Sequence, residues 1–184
     1  MRLSLRRISI GVAGLAMAGT MPALVATGTA SAATATASAR SASSPAALSW
    51  PTVSYGARGE RVYAIQYLLR ARGYRIGTDG TFGSVTRADV RNFQHVRGLA
   101  ADGVVGSATW NRLIIQVRFG NRGSAVAALQ HNLRYGYGYR NLPVTGYFGS
   151  ITRGDVRNFQ SRHGLAADGT VGPLTWNALI RGES

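Results

Sequence analysis

Two pairs of arginines stand four residues apart in stretches that repeat almost letter for letter, Arg87 and Arg91 in RADVRN, Arg153 and Arg157 in RGDVRN. Side chains at that spacing share a helix face, and a guanidinium is a planar fork that grips carboxylate or phosphate oxygens. Tyr74 with Arg75, and Tyr139 with Arg140, repeat a second pairing of a ring beside a cation. Asp79, Asp102 and Asp168 each precede or neighbour a glycine in turn-like spellings, and Tyr147 adds another ring. Tyr135, Tyr137, Tyr139 and Tyr147 make the second half of the chain rich in rings expected to be exposed. These residue types suit recognition of anions and flat faces.

The same inventory argues against bond-making chemistry. The acids are Glu60, Asp79, Asp89, Asp102, Asp155, Asp168 and Glu183. Asp89 and Asp155 are expected to favour the positive N-terminal end of a helix, and no isolated carboxylate pair remains for glycoside cleavage. His95, His131 and His163 fall at positions that do not match between the two halves, and there is no H-E-x-x-H spacing. Cysteine is absent, which excludes thiolate nucleophiles, thiolate-ligated metals and disulfides. No G-x-S-x-G elbow occurs. No catalytic residue, metal ligand set or cofactor site is expected.

The elements that must position the candidate residues follow from an internal repeat. Residues 55–114 align with 119–180, and between 82–114 and 148–180 roughly three-quarters of positions are identical, far beyond chance. The second copy carries a short insertion around 135–143, where loop length varies cheaply. Val62, Ile65 and Leu69, matched by Val126, Leu129 and Leu133, form one apolar helical stripe. Val90 and Phe93, with Val156 and Phe159, give a second helix its core face, and Trp110 and Trp176 open the core face of a short third helix. Gly73, Gly98, Gly138 and Gly164 fall where left-handed residues end helices.

A finer echo lies inside each copy. DGTFGSVT and DGVVGSAT precede the second and third helices, and TGYFGSIT and DGTVGPLT do so in the other copy. An Asp that accepts backbone N–H groups, followed by Gly, is a turn. Pro173 fits the first helical position, which makes Gly172 the N-cap and aligns Gly83, Gly106 and Gly149 with it. Thr86, Thr109, Thr152 and Thr175 then sit at the third helical position, able to bond the turn behind them. Gln66, Gln94, Gln130 and Gln160 fit either a ligand contact or an amide pinning two helices together.

Ahead of the repeat, Arg2, Arg6 and Arg7 precede an apolar run, and Ala30-Ser31-Ala32 supplies small residues for cleavage, the pattern of a secretory signal over 1–32. Residues 33–50, rich in Ala, Ser and Thr, have too few large apolar groups to repay ordering and read as a disordered linker. Folded units are expected at 51–115 and 116–184, joined so closely that they must touch. The formal charge of +14 favours polyanions, and export points to the carboxylates and phosphates of a cell wall.

Leu/Ile-Gln, then Asp-Gly-x-Phe-Gly-x-x-Thr, Val-x-x-Phe-Gln, Gly-Leu and Asp-Gly-x-x-Gly-x-x-Thr-Trp together resemble the bacterial peptidoglycan-binding domain family, over both copies. The resemblance implies an all-α fold of two tandem three-helix bundles and a ligand in cell-wall peptidoglycan, its glycan strand or its stem peptide. Such domains commonly target wall hydrolases, and Thr145, where the pattern has Asp, departs from it. The expectation is a secreted, wall-associated, monomeric binder without catalysis, without nucleic acid as partner and without a membrane span once the leader is removed. Anionic wall polymers are possible further partners. The rival is a secreted interaction or inhibitor-like module holding a protein partner through its basic surface.

Overall fold

Both expected stripes are core: Val62, Ile65 and Leu69, and Val126, Leu129 and Leu133, are fully buried. They belong to a computed structural model that describes residues 48–182; the leader and most of the linker expected over 1–50 lie outside the described residues. Six helices follow in order: α1 (Glu60–Ala71), α2 (Ser84–Val96), α3 (Ser107–Leu113), α4 (Ser124–His131), α5 (Ser150–Arg162) and α6 (Pro173–Arg181). The first three form one unit and the last three the other, so the fold is all-α with three helices per unit. Among the described residues the only extended pairing is isolated bridges. Val53 pairs with Val105 and Val117 with Val171, tying the start of each unit to its last turn. Trp110 and Trp176 are fully buried. Their indole N–H groups donate to the Pro51 and Ile115 carbonyls at 2.9 and 2.8 Å. Trp50, the last residue of the expected linker, is itself buried and stacks on Trp110 with ring centroids 5.7 Å apart.

Helices α2, α3, α5 and α6 start after glycines in extended backbone, and none has a side-chain cap. Pro173 does occupy the first turn of α6. What holds these starts is a buried glutamine from the preceding helix, repeated four times. Gln66 donates from Nε2 to Asp79 Oδ1 (2.7 Å), to the Thr81 carbonyl (3.1 Å) and to Thr86 Oγ1 (3.2 Å). Its Oε1 accepts the Gly80 N–H at 2.9 Å, while Asp79 Oδ1 also accepts the Thr81 N–H. Gln94 makes the same set with Asp102, the Val104 carbonyl, Thr109 and the Gly103 N–H. Gln160 does so with Asp168, the Thr170 carbonyl, Thr175 and the Gly169 N–H. The glycine of each turn must lie in the left-handed region to present its N–H to the amide, and Gly80 and Gly103 have φ of 68° and 76°. All four glutamines are only 1 % exposed, so they pin helices together.

The fourth knot is incomplete. Gln130 reaches the Tyr147 carbonyl, Thr152 Oγ1 and the Gly146 N–H. Thr145 Oγ1 accepts the Tyr147 N–H at 3.2 Å, as Asp would, but its shorter side chain makes no bond to Gln130.

The insertion in the second unit is taken up in two places. Leu69 to Gly73 is four residues and Leu133 to Gly138 is five, and the extra residue is absorbed as a π-helical turn, Asn132–Gly136, continuing α4. Asn141 carries the other, since Leu142 takes the buried place of Ile76. Asn132 aligns with the buried Leu68, is 0 % exposed, and neither its Nδ2 nor its Oδ1 has a partner.

The units pack through α1 against α4. His131 lies against the rings of Tyr63 and Tyr67 at centroid distances of 4.3 and 5.6 Å, and its Nδ1 is 2.7 Å from Glu60 Oε2. Arg61 of α1 donates to the Ile180 carbonyl at the end of α6, at 2.9 Å. Asn177 of α6 donates to the Ser49 carbonyl at 2.7 Å, so the segment entering unit one is held by unit two.

Replacing Asn132 by Leu should raise stability, because an unpaired buried amide costs about 1–3 kcal/mol; a higher Tm in thermal melts followed by circular dichroism checks it. A second outcome concerns acid. Hydrogen bonds from the Gln66 amide and the Thr81 N–H hold the Asp79 carboxyl below its ordinary range, and the Val104 N–H and Gln94 do so for Asp102. A depressed folded pKa supports the fold above the unfolded value of about 3.9 and stops doing so as pH falls through the folded value. Asp79→Asn with Asp102→Asn should therefore lower Tm at neutral pH, and the difference should shrink as pH falls through the lowered folded range of the two carboxyls.

Candidate functional site

The candidate residues fall on separate faces. Arg87 and Arg91 do share a face of α2, and that face lies over the second turn: a Cβ on Gly103 would meet Arg87 Cγ at 2.9 Å and Arg91 Cγ at 3.0 Å. Arg153 and Arg157 lie over Gly169 in the same way, at 3.1 and 3.3 Å, and Arg157 Nε donates to the Ala167 carbonyl at 2.9 Å. The arginine pairs are thus brought together with Asp102 and Asp168. Those two carboxylates already serve the glutamine knots, as does Asp79 at the first turn.

Tyr74 and Tyr139 are elsewhere, on the other side of the second helix of each unit. Their hydroxyls donate to Asn92 Oδ1 and Asn158 Oδ1 at 3.0 and 2.9 Å. Tyr139, Arg140 and Asp155 border a shallow hollow of about 390 Å3. Asp89 and Asp155 do not behave as helix-end carboxylates: burial pushes both carboxyls above the ordinary range. Burial outweighs the helix-end field here, since both residues are half-buried and lie beyond the first turn. Arg75 and Arg140 are exposed.

The expected cluster of four exposed rings in unit two is not one cluster. Tyr137 packs edge-on against Phe159 and donates to the Ala178 and Leu179 carbonyls at 2.8 Å, serving the end of α6. Tyr139 is half-buried at its hollow, Tyr135 lies against His131, and Tyr147 lines a separate cleft.

That cleft, of about 370 Å3, opens beside the start of α5. Phe119, Tyr147, Pro143 and Ile151 form its apolar walls, and Gly149, Ser150 and Thr145 its polar edge. Phe119 and Ile151 are 52 % and 58 % exposed and leave apolar surface at its mouth. Two guanidiniums frame it: Arg122 lies 4.0 Å from the Tyr147 ring centroid, and Arg153 lies 5.8 Å from that of Phe119. Of the sequence candidates, Tyr147 and Arg153 meet here. A second cleft of about 250 Å3 sits at the matching place before α6, lined by Leu165, Asp168, Pro173 and Leu174, and Leu174 is 62 % exposed.

Phe119, Ile151 and Arg122 were missed in sequence. A signal existed. Tyr55 and Val85 take the same places in unit one and are equally exposed, both 62 %. Val85 and Ile151 thus repeat an apolar residue at the second helical position, off the core stripe, in both copies. Among the described residues, no three His, Asp or Glu side chains gather as a metal site. No described helix is long and apolar enough to cross a membrane.

The family model described as "Putative peptidoglycan binding domain" matches residues 58–113 and 122–179. A zinc D-Ala-D-Ala carboxypeptidase of Streptomyces albus G is 32% identical over 168 residues, covering 71% of this chain and 65% of the relative. The N-acetylmuramoyl-L-alanine amidase CwlL of Bacillus licheniformis is 31% identical over 153 residues, covering 65% of this chain and 42% of the relative. The chain therefore spans less than two thirds of the length of either relative. The solved SleB N-terminal domain is 39% identical, with a TM-score of 0.35, covering 37% of this chain and 94% of that one. With the family model matched twice in tandem over more than half of its length, the chain belongs to the peptidoglycan-binding domain family.

Proposed function

We propose that the chain is a secreted, non-catalytic binder of cell-wall peptidoglycan that acts through its two repeated units. The observation that carries this is the cleft at the start of α5, where two exposed rings, Phe119 and Tyr147, lie under two arginines, Arg153 and Arg122. Sugar rings stack on aromatic faces, carboxylates take guanidinium forks, and peptidoglycan offers both groups in alternation. Membership of the family and the wall-active relatives support the same ligand. The amidase and carboxypeptidase relatives supply names for enzymes that share these modules; the two matched segments of this chain are binding domains. Two sites on one chain would raise avidity on a polymer without new contacts.

The purified chain should be retained on teichoic-acid-free peptidoglycan and release no soluble wall fragments from it. Arg153→Ala should weaken retention about tenfold, the weight of one hydrogen bond to a charged group. Arg87→Ala, at the matching place in unit one, reports whether that unit binds through the same face. Lack of retention would sink the proposal, as would binding lost with salt and indifferent to glycan structure, the behaviour of a general polyanion binder. Fragment release would overturn the non-catalytic part.

A further inference from the structure

We propose that the junction between the two units carries a second kind of site, a groove for a short peptide ending in a free carboxylate. A groove of about 500 Å3 runs between α1 and the first turn of unit two. Unit one lends it Tyr67 and Arg70, and unit two lends Arg122, Ser124, Ala127 and Thr145. Neither unit builds it alone.

Comparison of the two copies explains why the groove exists. The place of Ala127 is held in unit one by Tyr63, that of Ser124 by Glu60, and that of Thr145 by Asp79. The Tyr63 ring lies so close over Gly80 that a Cβ there would overlap it, so the space above the first turn of unit one is filled. Above the corresponding Gly146, a Cβ would meet nothing nearer than the Gly123 carbonyl oxygen, at 3.4 Å. Three differences thus act together: one removes a ring and opens the space, and two remove carboxylates. Docking α1 against α4 then brings in a guanidinium from the other unit.

The resulting charge is one-sided. Arg70 and Arg122 line the groove and no acid does. Neither Arg70 nor Arg122 has a carboxylate partner among the described residues. The Arg122 guanidinium already rests over the Tyr147 ring, 4.0 Å from its centroid, and a restrained side chain loses less entropy on forming a fork with an oxyanion. The remaining wall is small and apolar: Ala127, Val144 and the edge of Tyr67. Methyl-sized side chains beside a terminal carboxylate fit that wall better than the hydroxylated backbone of a phosphodiester polymer. The incomplete knot at Gln130 belongs to the same change. Losing the carboxylate at 145 costs one hydrogen bond to the glutamine and removes the charge that would repel such a ligand.

This site rests on the peptidoglycan reading only for its biological source; its chemistry is tested separately with N-acetyl-D-Ala-D-Ala, the same dipeptide as its C-terminal amide, and glycerol 1-phosphate. In amide NMR spectra of the purified chain, the acid should shift Tyr67, Arg70, Ser124 and Ala127. The amide should bind at least about tenfold more weakly, the loss of one charge-assisted contact. Arg70→Gln with Arg122→Gln should abolish the shifts. Thr145→Asp, at an exposed position, should weaken binding about tenfold with both arginines kept, and Ala127→Tyr should fill the groove. Equal binding of acid and amide would overturn the proposal, as would tighter binding of glycerol 1-phosphate, or shifts confined to the α5 cleft. A chain that binds the dipeptide but is not retained on peptidoglycan would refute the proposed function and leave this site standing.

Discussion

A primary amide buried in a protein interior needs partners for two N–H bonds and a carbonyl oxygen, and each unmet need costs about 1–3 kcal/mol. Gln66, Gln94, Gln130 and Gln160 meet theirs in a turn and the helix start behind it. The amide therefore does three things at once. It fixes the distance between one helix and the next, it satisfies a turn whose glycine N–H would otherwise be buried without a partner, and it anchors the threonine inside the next helix. Those helix starts have no side-chain caps, and the knot ties each of them to the preceding helix through the threonine at the third helical position. Two of these starts, at α5 and α6, have clefts beside them.

Units of about sixty residues have little core of their own. Here the deficit is met by joining them. Glu60 and His131, Arg61 and the end of α6, and Asn177 and Ser49 tie one unit to the other, and the apolar core runs through both. The π-turn after α4 lets the longer second copy keep its stripe in register, although it leaves Asn132 in an apolar place without partners. Duplication followed by close packing also creates surface that neither copy owns. Once two copies share an interface, a change in one is free to alter the joint surface while both bundles stay intact.

The surface of this protein carries faces with different chemistry, and Arg122 belongs to two of them. The cleft at α5 combines exposed rings with arginines, the second turns carry arginine pairs beside carboxylates that are already engaged, and the junction carries arginines with no acid near them. A carboxylate that serves a knot has limited freedom to serve a ligand, and Asp79, Asp102 and Asp168 are all engaged in this way.

The sequence by itself determined the repeat, the three helices per unit, the core stripes, the glycine-started helices and the Asx turns, because each rests on local rules of spacing, backbone freedom and side-chain reach. Thr145 was legible as a departure, and Arg87 with Arg91 as a shared face. Only the tertiary structure decided the rest. Whether Gln66 touched ligand or helix depended on a turn 13 to 15 residues away. Whether Tyr137 was an exposed ring depended on carbonyls 41 and 42 residues further along. Phe119 and Ile151 lie far apart in the chain and meet only because the first turn folds back onto the entry of the unit. The junction groove needed the packing of α1 on α4, a contact between side chains more than fifty residues apart that no local periodicity encodes.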